Sequence, residues 1–203
     1  MSLENPETTV TPFGGGARIV TDTSNVPDVV LRYNHNADWG NFTAAVLGRQ
    51  LGIDGPGGTS RETSFSFSLS GRFDIGQNDV RWMFSGGPGI GRYLGLNTAN
   101  DAVLDANGSL NTIDAYGGYI AYRHLWSNRW RSNFTFAAFR ADNDTDLAGF
   151  GSNKRTESAR VNLIYQATSH LRFGLEYQYA RREIESGDSG NLNRLQFATI
   201  LAF

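Results

Sequence analysis

From residue 63 to residue 75 the chain alternates strictly. Phe65, Phe67, Leu69, Phe73 and Ile75 fall at odd positions; Ser64, Ser66, Ser68, Ser70, Arg72 and Asp74 fall at even ones. A side-chain period of two belongs to a strand with one apolar and one polar face. The same pattern returns over residues 28–36, 39–53, 79–85, 115–126, 129–138, 159–167, 171–182 and 193–203. Over 171–182, for example, Leu171, Phe173, Leu175, Tyr177 and Tyr179 oppose Arg172, Glu176, Gln178 and Arg182. The stretch 39–53 is ambiguous and is read with Phe42, Ala44 and Val46 on the apolar side and Asn41, Thr43 and Arg49 on the polar side. Nine strands are predicted, several longer than the usual five or six residues, and no amphipathic helix stands out.

The connections alternate in length. Short ones are expected at 36–38, 76–78, 127–128 and 168–169; long ones, rich in Gly, Asp, Asn and Ser, at 54–62, 86–112, 142–154 and 184–192. Short turns on one rim and long loops on the other mark a transmembrane β-barrel of outer-membrane type. Phe73, Trp82, Trp126, Trp130, Phe173 and Phe203 lie beside the short-turn rim with apolar-face parity, the place of an interfacial aromatic girdle. Counting back from Phe203 makes the strand at 28–36 run down from the loop rim. Residues 1–27 are therefore expected to be a strand remnant (Leu3 to Val10) and an outer loop, with barrel strands over 28–203. Single-chain barrels have an even strand number and no free edge. Nine strands beginning outside the cell are thus expected to be the C-terminal nine or ten of a larger barrel.

Composition sharpens this picture in three ways. Cysteine is absent, which excludes thiolate metal sites, disulfides and a cysteine nucleophile. The net charge is −2, so no bulk nucleic-acid footprint exists. No apolar run is long enough for a spanning helix, and the N-terminus has neither the basic nor the apolar region of a signal peptide. The 18 basic residues include a single lysine, Lys154; the rest are arginines, whose planar guanidinium holds carboxylates and keeps its charge at any working pH. Parity turns Arg32, Arg49, Arg72, Arg81, Arg123, Arg131, Arg160, Arg172, Arg182 and Arg194 toward the polar face, and Arg129 with them. In a barrel that face is the lumen. Only Asp74 and Glu176 are clear carboxylates on it; most other acids lie in or near the long loops. Arg72, Arg81, Arg123, Arg131 and Arg172 sit three to five residues from a short turn, roughly 10–16 Å along a strand. They form a tier, with Arg32 and Arg160 higher. Such a ring favours anions and repels cations. The competing expectation is that these arginines brace the wall against an inward-folded loop, for which 86–112 with Asp101 and Asp105 is long enough.

Catalytic and metal motifs are absent. His35, His124 and His170 have no recognisable triad partners. Asp142 to Asp146 is similar to the start of a calcium loop, but Leu147 stands where the glycine belongs. Residues 86–91 are no dinucleotide fingerprint, since position 94 is Leu. No metal or cofactor is expected, and no enzyme.

Four stretches, NPETTVTPFGGG (5–16), RIVTDTSNVPDVVLRYNH (18–35), GRYLGLNTANDAVLDANG (91–108) and EYQYARREIESG (176–187), resemble DcaP-like porins of the bacterial outer membrane. The ending NRLQFATILAF (193–203) is similar to the terminal strand of many outer-membrane proteins, which the barrel-assembly machinery reads. The resemblance implies a 16-stranded, homotrimeric diffusion channel in outer-membrane lipid, admitting small anions, dicarboxylates among them. A small closed barrel of 8–10 strands, structural or adhesive with a plugged lumen, and a soluble β protein with a lipid-like pocket are the alternatives.

Overall fold

The computed structural model describes residues 1–55, 58–95 and 97–203; Pro56, Gly57 and Leu96, which fall in the expected loops 54–62 and 86–112, lie outside the described residues. All nine predicted strands form: β4 (Asp28–Ala37), β5 (Gly40–Gly55), β6 (Gly58–Ile75), β7 (Asn78–Pro88), β10 (Asp114–Leu125), β11 (Trp130–Asp142), β12 (Asn153–Gln166), β13 (Leu171–Ile184) and β14 (Ser189–Leu201). A short β1 (Ser2–Glu4) pairs antiparallel with the start of β4 and completes a ten-stranded sheet in the order β1-β4-β5-β6-β7-β10-β11-β12-β13-β14. Every neighbouring pair in it is antiparallel. Among the described residues β1 and β14 do not pair with one another, so the sheet has two edges.

The register keeps the two faces separate across the whole sheet. Phe42, Gly71, Trp82, Ile120, Phe136 and Ala159 follow one another across six strands on the apolar face. That face is not covered by a second layer: Phe65 is 73% exposed, Leu195 70% and Phe197 66%, and Leu31, Val46, Phe84, Ile120 and Phe136 are also open. A water-soluble domain seldom leaves a contiguous apolar surface larger than a few hundred Å². Here the open apolar surface runs across nine strands. No helix is long and apolar enough to cross a membrane, which says nothing about strands.

What is buried lies on the other face, at the loop rim. A second sheet, in the order β3 (Ile19–Thr21), β2 (Thr8–Thr11), β8 (Ala102–Leu104), β9 (Leu110–Thr112), folds against the polar side of the large one. Strands β2 and β8 pair in parallel; β2–β3 and β8–β9 are antiparallel. Leu51, Ile53, Val10, Ala102 and Leu110 form one small core, and Leu47, Ile90, Leu94, Val103, Ile113 and Phe139 with their neighbours form a second. Leu47, Leu51 and Ile53 share the parity of Arg49, so the inner face of the upper part of β5 is apolar, while its outer face there carries Gly48, Gln50, Gly52 and Asp54. That explains its ambiguous reading: the inner face there meets protein and not water.

Four short turns stand where expected, at 38–39, 76–77, 126–129 and 167–170, the last two being four residues long where two were expected. Arg129 lies in one of these turns and not on the lumenal face of a strand. Two expected long loops are not loops. Strands β5 and β6 stay in register up to Gly55↔Gly58, and β13 and β14 up to Glu183↔Ser189. The 142–154 connection is long and carries the one-turn helix α1 (Thr145–Ala148), whose N-cap is Asp144: its side chain accepts from the Asp146 N–H. Capping thus accounts for Asp144, with Asp146 in the first turn of the helix.

Gly40 fixes the first short turn against β6. Its φ is 137°, and a Cβ there would stand 1.9 Å from the Arg72 carbonyl oxygen. Gly40→Ala is expected to lower stability by about 2–3 kcal/mol, read as a reduced urea midpoint for the protein folded in lipid vesicles; an unchanged midpoint contradicts the geometry.

Candidate functional site

The polar face carries the chemistry, and its arginines divide into three groups. The first is buried. Arg49 has no solvent-exposed side-chain surface and meets Asp28 (3.2 Å) and Asp101 (2.8 Å), both equally buried. Its Nη1 also donates to the Gly89 carbonyl (2.6 Å), and its Nη2 to that of Glu7 (2.5 Å). Asp101 further accepts from the Thr9 N–H and hydroxyl and from the Arg92 N–H, at 2.8–2.9 Å. Tyr93 stands over the cluster, its hydroxyl 2.9 Å from Glu4 and 3.0 Å from Asp28. Burial, with those two carboxylates beside it, pushes the Tyr93 phenol well above its ordinary range, so it remains a donor. Arg49 was expected on the solute path. It is instead the peg that fastens the 89–113 loop and the N-terminal segment to the wall, as the bracing expectation described for Asp101. Asp105 does not take part; it accepts from Asn107 and Ser109 within its own turn.

The second group is neutralised in place. Arg72 pairs with Asp74 at 2.7 Å. Arg81 and Arg123 both meet Asp79, at 2.9 and 2.6 Å, and the Asp79 side chain is only 1% exposed. Arg194 reaches Glu176 at 3.8 Å. Sequence reasoning passed over Asp79, although it shares the parity of Arg81 two residues on. It also passed over Asp28, which has the parity of Arg32. Adjacency to a turn and a strand start hid both.

The third group has no carboxylate within ion-pair distance among the described residues: Arg131, Arg172, Arg160, Arg32 and Arg182. Arg131 and Arg172 line one recess of about 160 Å³ with Asn162, Ile164 and Glu176. The charged neighbours acting on Arg131 are themselves cations: Arg172, Arg123 and Arg81. Nearer the loop rim Arg160 and Arg182 line a concavity of about 870 Å³ with Tyr119, Leu94 and Thr98, between the wall and the inward-folded loop. Arg182 donates to the Asn153 side chain, and Arg32 to Asn34 at 2.8 Å. The tier near the turns therefore sums to five guanidiniums against Asp74 and Asp79, a net +3, displaced toward β11–β13.

On the opposite face the aromatics near the turns stack in pairs. Trp82 lies beside Phe42 (6.2 Å), Trp130 on Tyr165 (4.5 Å), Phe173 beside Phe197 (6.2 Å), and Trp39 on Phe73 (5.3 Å). Trp126 packs edge-on against His124, and its indole N–H donates to Ser132 at 2.9 Å. Phe203, beyond the end of β14, is fully exposed. No group of His, Asp or Glu suited to a metal occurs among the described residues.

Neither the scan against protein-family models nor the search of curated proteins finds a match. Among solved structures the chain superposes on the crystal structure of the outer membrane channel DcaP of Acinetobacter baumannii. The TM-score is 0.78 at 16% identity, over 89% of this chain and 53% of that one. The chain thus spans about half the length of that channel. What the two share is the fold, an all-antiparallel porin-type sheet, as the resemblance in the sequence implied.

Proposed function

We propose that this chain forms wall of an outer-membrane porin whose lumen carries small anionic solutes, dicarboxylates among them, by passive diffusion. The observation that carries the proposal is the pairing of two faces. One side of a ten-stranded sheet is a broad, open apolar surface fit for lipid. The other gathers Arg131 and Arg172 without carboxylate partners, with Arg160 and Arg182 above them. Guanidiniums held in a wetted wall lower the energy of a passing anion, while their exposure keeps each contact weak enough to release it. No catalytic step is needed. The reading includes residence in the outer membrane, insertion through the C-terminal strand β14 by the assembly machinery, and a homotrimer of the natural protein. The edges of the sheet remain apart, which speaks against the small closed barrel with a plugged lumen. The uncovered apolar face speaks against the soluble pocket protein.

The test is a planar-bilayer recording under a KCl gradient. The expected reversal potential shows anions permeating better than cations, and conductance persists when chloride is replaced by succinate. A cation-preferring channel, or no channel at all, overturns the proposal.

A further inference from the structure

The lipid-facing surface has a feature that conduction does not use. On the adjacent strands β11 and β12, Arg140 and Arg155 are direct cross-strand partners. Their parity is that of Phe136 and Ala159, so both point outward, at the loop-rim end of the apolar face. Like charges directly opposite one another are unfavourable in a sheet. Arg155 is tied to Glu183 on β13 (2.7 Å), and Arg181 reaches the same carboxylate at 3.5 Å. Arg140 has no ion-pair partner among the described residues and is exposed. With Glu157, the outward cluster counts three guanidiniums against two carboxylates, a net +1.

Directly below this row the surface is hollowed. A groove of about 490 Å³ is lined by Phe84, Tyr116, Ile120 and Phe136, with Arg140, Arg155 and Glu157 as its charged residues. Two glycines shape it. A Cβ at Gly86 would stand 2.2 Å from the Tyr116 ring, and one at Gly118 2.4 Å from the Met83 carbonyl oxygen, so neither site admits a side chain without movement. Tyr116 lies over Gly86 and stacks on Phe84.

An apolar trough whose charged end carries two guanidiniums against one carboxylate, a net +1, complements a molecule with an acyl chain and a phosphate at its head. The rim that carries the long loops is the outer one, so the leaflet in question is the outer leaflet. We propose that this groove binds a phosphorylated acyl lipid of the lipid A class. An acyl chain lies along Phe84, Ile120 and Phe136, and a phosphate bridges Arg140 and Arg155 through charge-assisted hydrogen bonds. The proposal rests on the membrane-channel reading above, because it needs this face to meet lipid.

The experiment uses the protein folded in phosphatidylethanolamine nanodiscs doped with bis-phosphorylated lipid A, then extracted and weighed by native mass spectrometry. Lipid A is expected to be retained over phosphatidylethanolamine. The Arg140→Gln/Arg155→Gln variant is expected to lose about tenfold in retention, with conductance unchanged. Arg131→Gln, on the other face, is expected to retain lipid A, and millimolar inorganic phosphate is expected not to displace it. Insertion without lipid A preference, or equal retention by the Arg140→Gln/Arg155→Gln variant, overturns the lipid site and leaves the channel standing. Disulfide cross-links between copies through Phe136→Cys, without lipid A retention, overturn it in favour of a subunit interface. Failure to insert into any bilayer counts instead against the channel reading, and with it the site.

Discussion

Replacing Arg49 by Met is expected to destabilise the inward-folded loop by about 3–5 kcal/mol, the cost of stranding buried charges. The distribution of donors says where the loss falls. Asp101 keeps the Thr9 N–H, the Thr9 hydroxyl and the Arg92 N–H when Arg49 is gone. Asp28 keeps only the Tyr93 hydroxyl and a more distant Arg92 guanidinium at 3.8 Å. The uncompensated carboxylate is therefore Asp28, at the top of β4. Substituting it as well, as Arg49→Met with Asp28→Asn, is expected to recover about half of the loss by removing that charge. Two measurements read this: the urea midpoint in vesicles, and protease cleavage within 89–113 from the loop side. The variant is expected to be cut there while the wild type is protected, and single-channel conductance is expected to rise as the loop leaves the lumen. A variant that stays protected, with a wild-type midpoint, removes Arg49 from its role as the peg.

The same cluster shows why sequence alone carried the fold so far and the site only partly. Strand positions were legible because the two faces of a wall meet different media, and each strand records that difference every second residue. Where both faces meet protein or water, the record fades. Residues 54–62 and 184–192 read as loops because their polar and glycine content does not alternate, yet 54–55, 58–62, 184 and 189–192 belong to strands that run on toward the rim. The parity of Arg49 was legible. Its surroundings were not, because Asp101 is 52 residues away and reaches it only through a loop anchored by the parallel pairing of β2 with β8. Such pairing leaves no local signal. Asp79 is the opposite case. Its parity with Arg81 was plain, and it opens the expected strand 79–85, yet only Asp74 and Glu176 were counted as inward carboxylates. The cost was an overestimate of the free positive charge in the tier, since Arg81 and Arg123 share that one carboxylate.

That corrected charge sets the size of the effect on conduction. A unit charge about 10 Å from a pore axis in water contributes roughly 0.4 kcal/mol, and screening at 0.1 M salt reduces this to about 0.15. A net +3 then separates anion from cation by about 0.9 kcal/mol, close to a fivefold preference. Arg131→Glu with Arg172→Glu changes the tier from +3 to −1, and the anion-to-cation ratio is expected to fall from about 5 to about 0.6. Asp79→Asn works in the opposite direction: it releases Arg81 and Arg123 from their shared partner, takes the tier to +4, and is expected to raise the ratio to about 8. In 1 M salt the Debye length is near 3 Å, and all three channels are expected to become nearly unselective. Reversal potentials across a KCl gradient at the two ionic strengths measure each ratio. Because the two substitutions shift selectivity in opposite senses at one level of one wall, a general loosening of the protein cannot mimic the pattern. Equal potentials in the wild type and both variants at 0.1 M would place the selective step elsewhere than at Arg131 and Arg172.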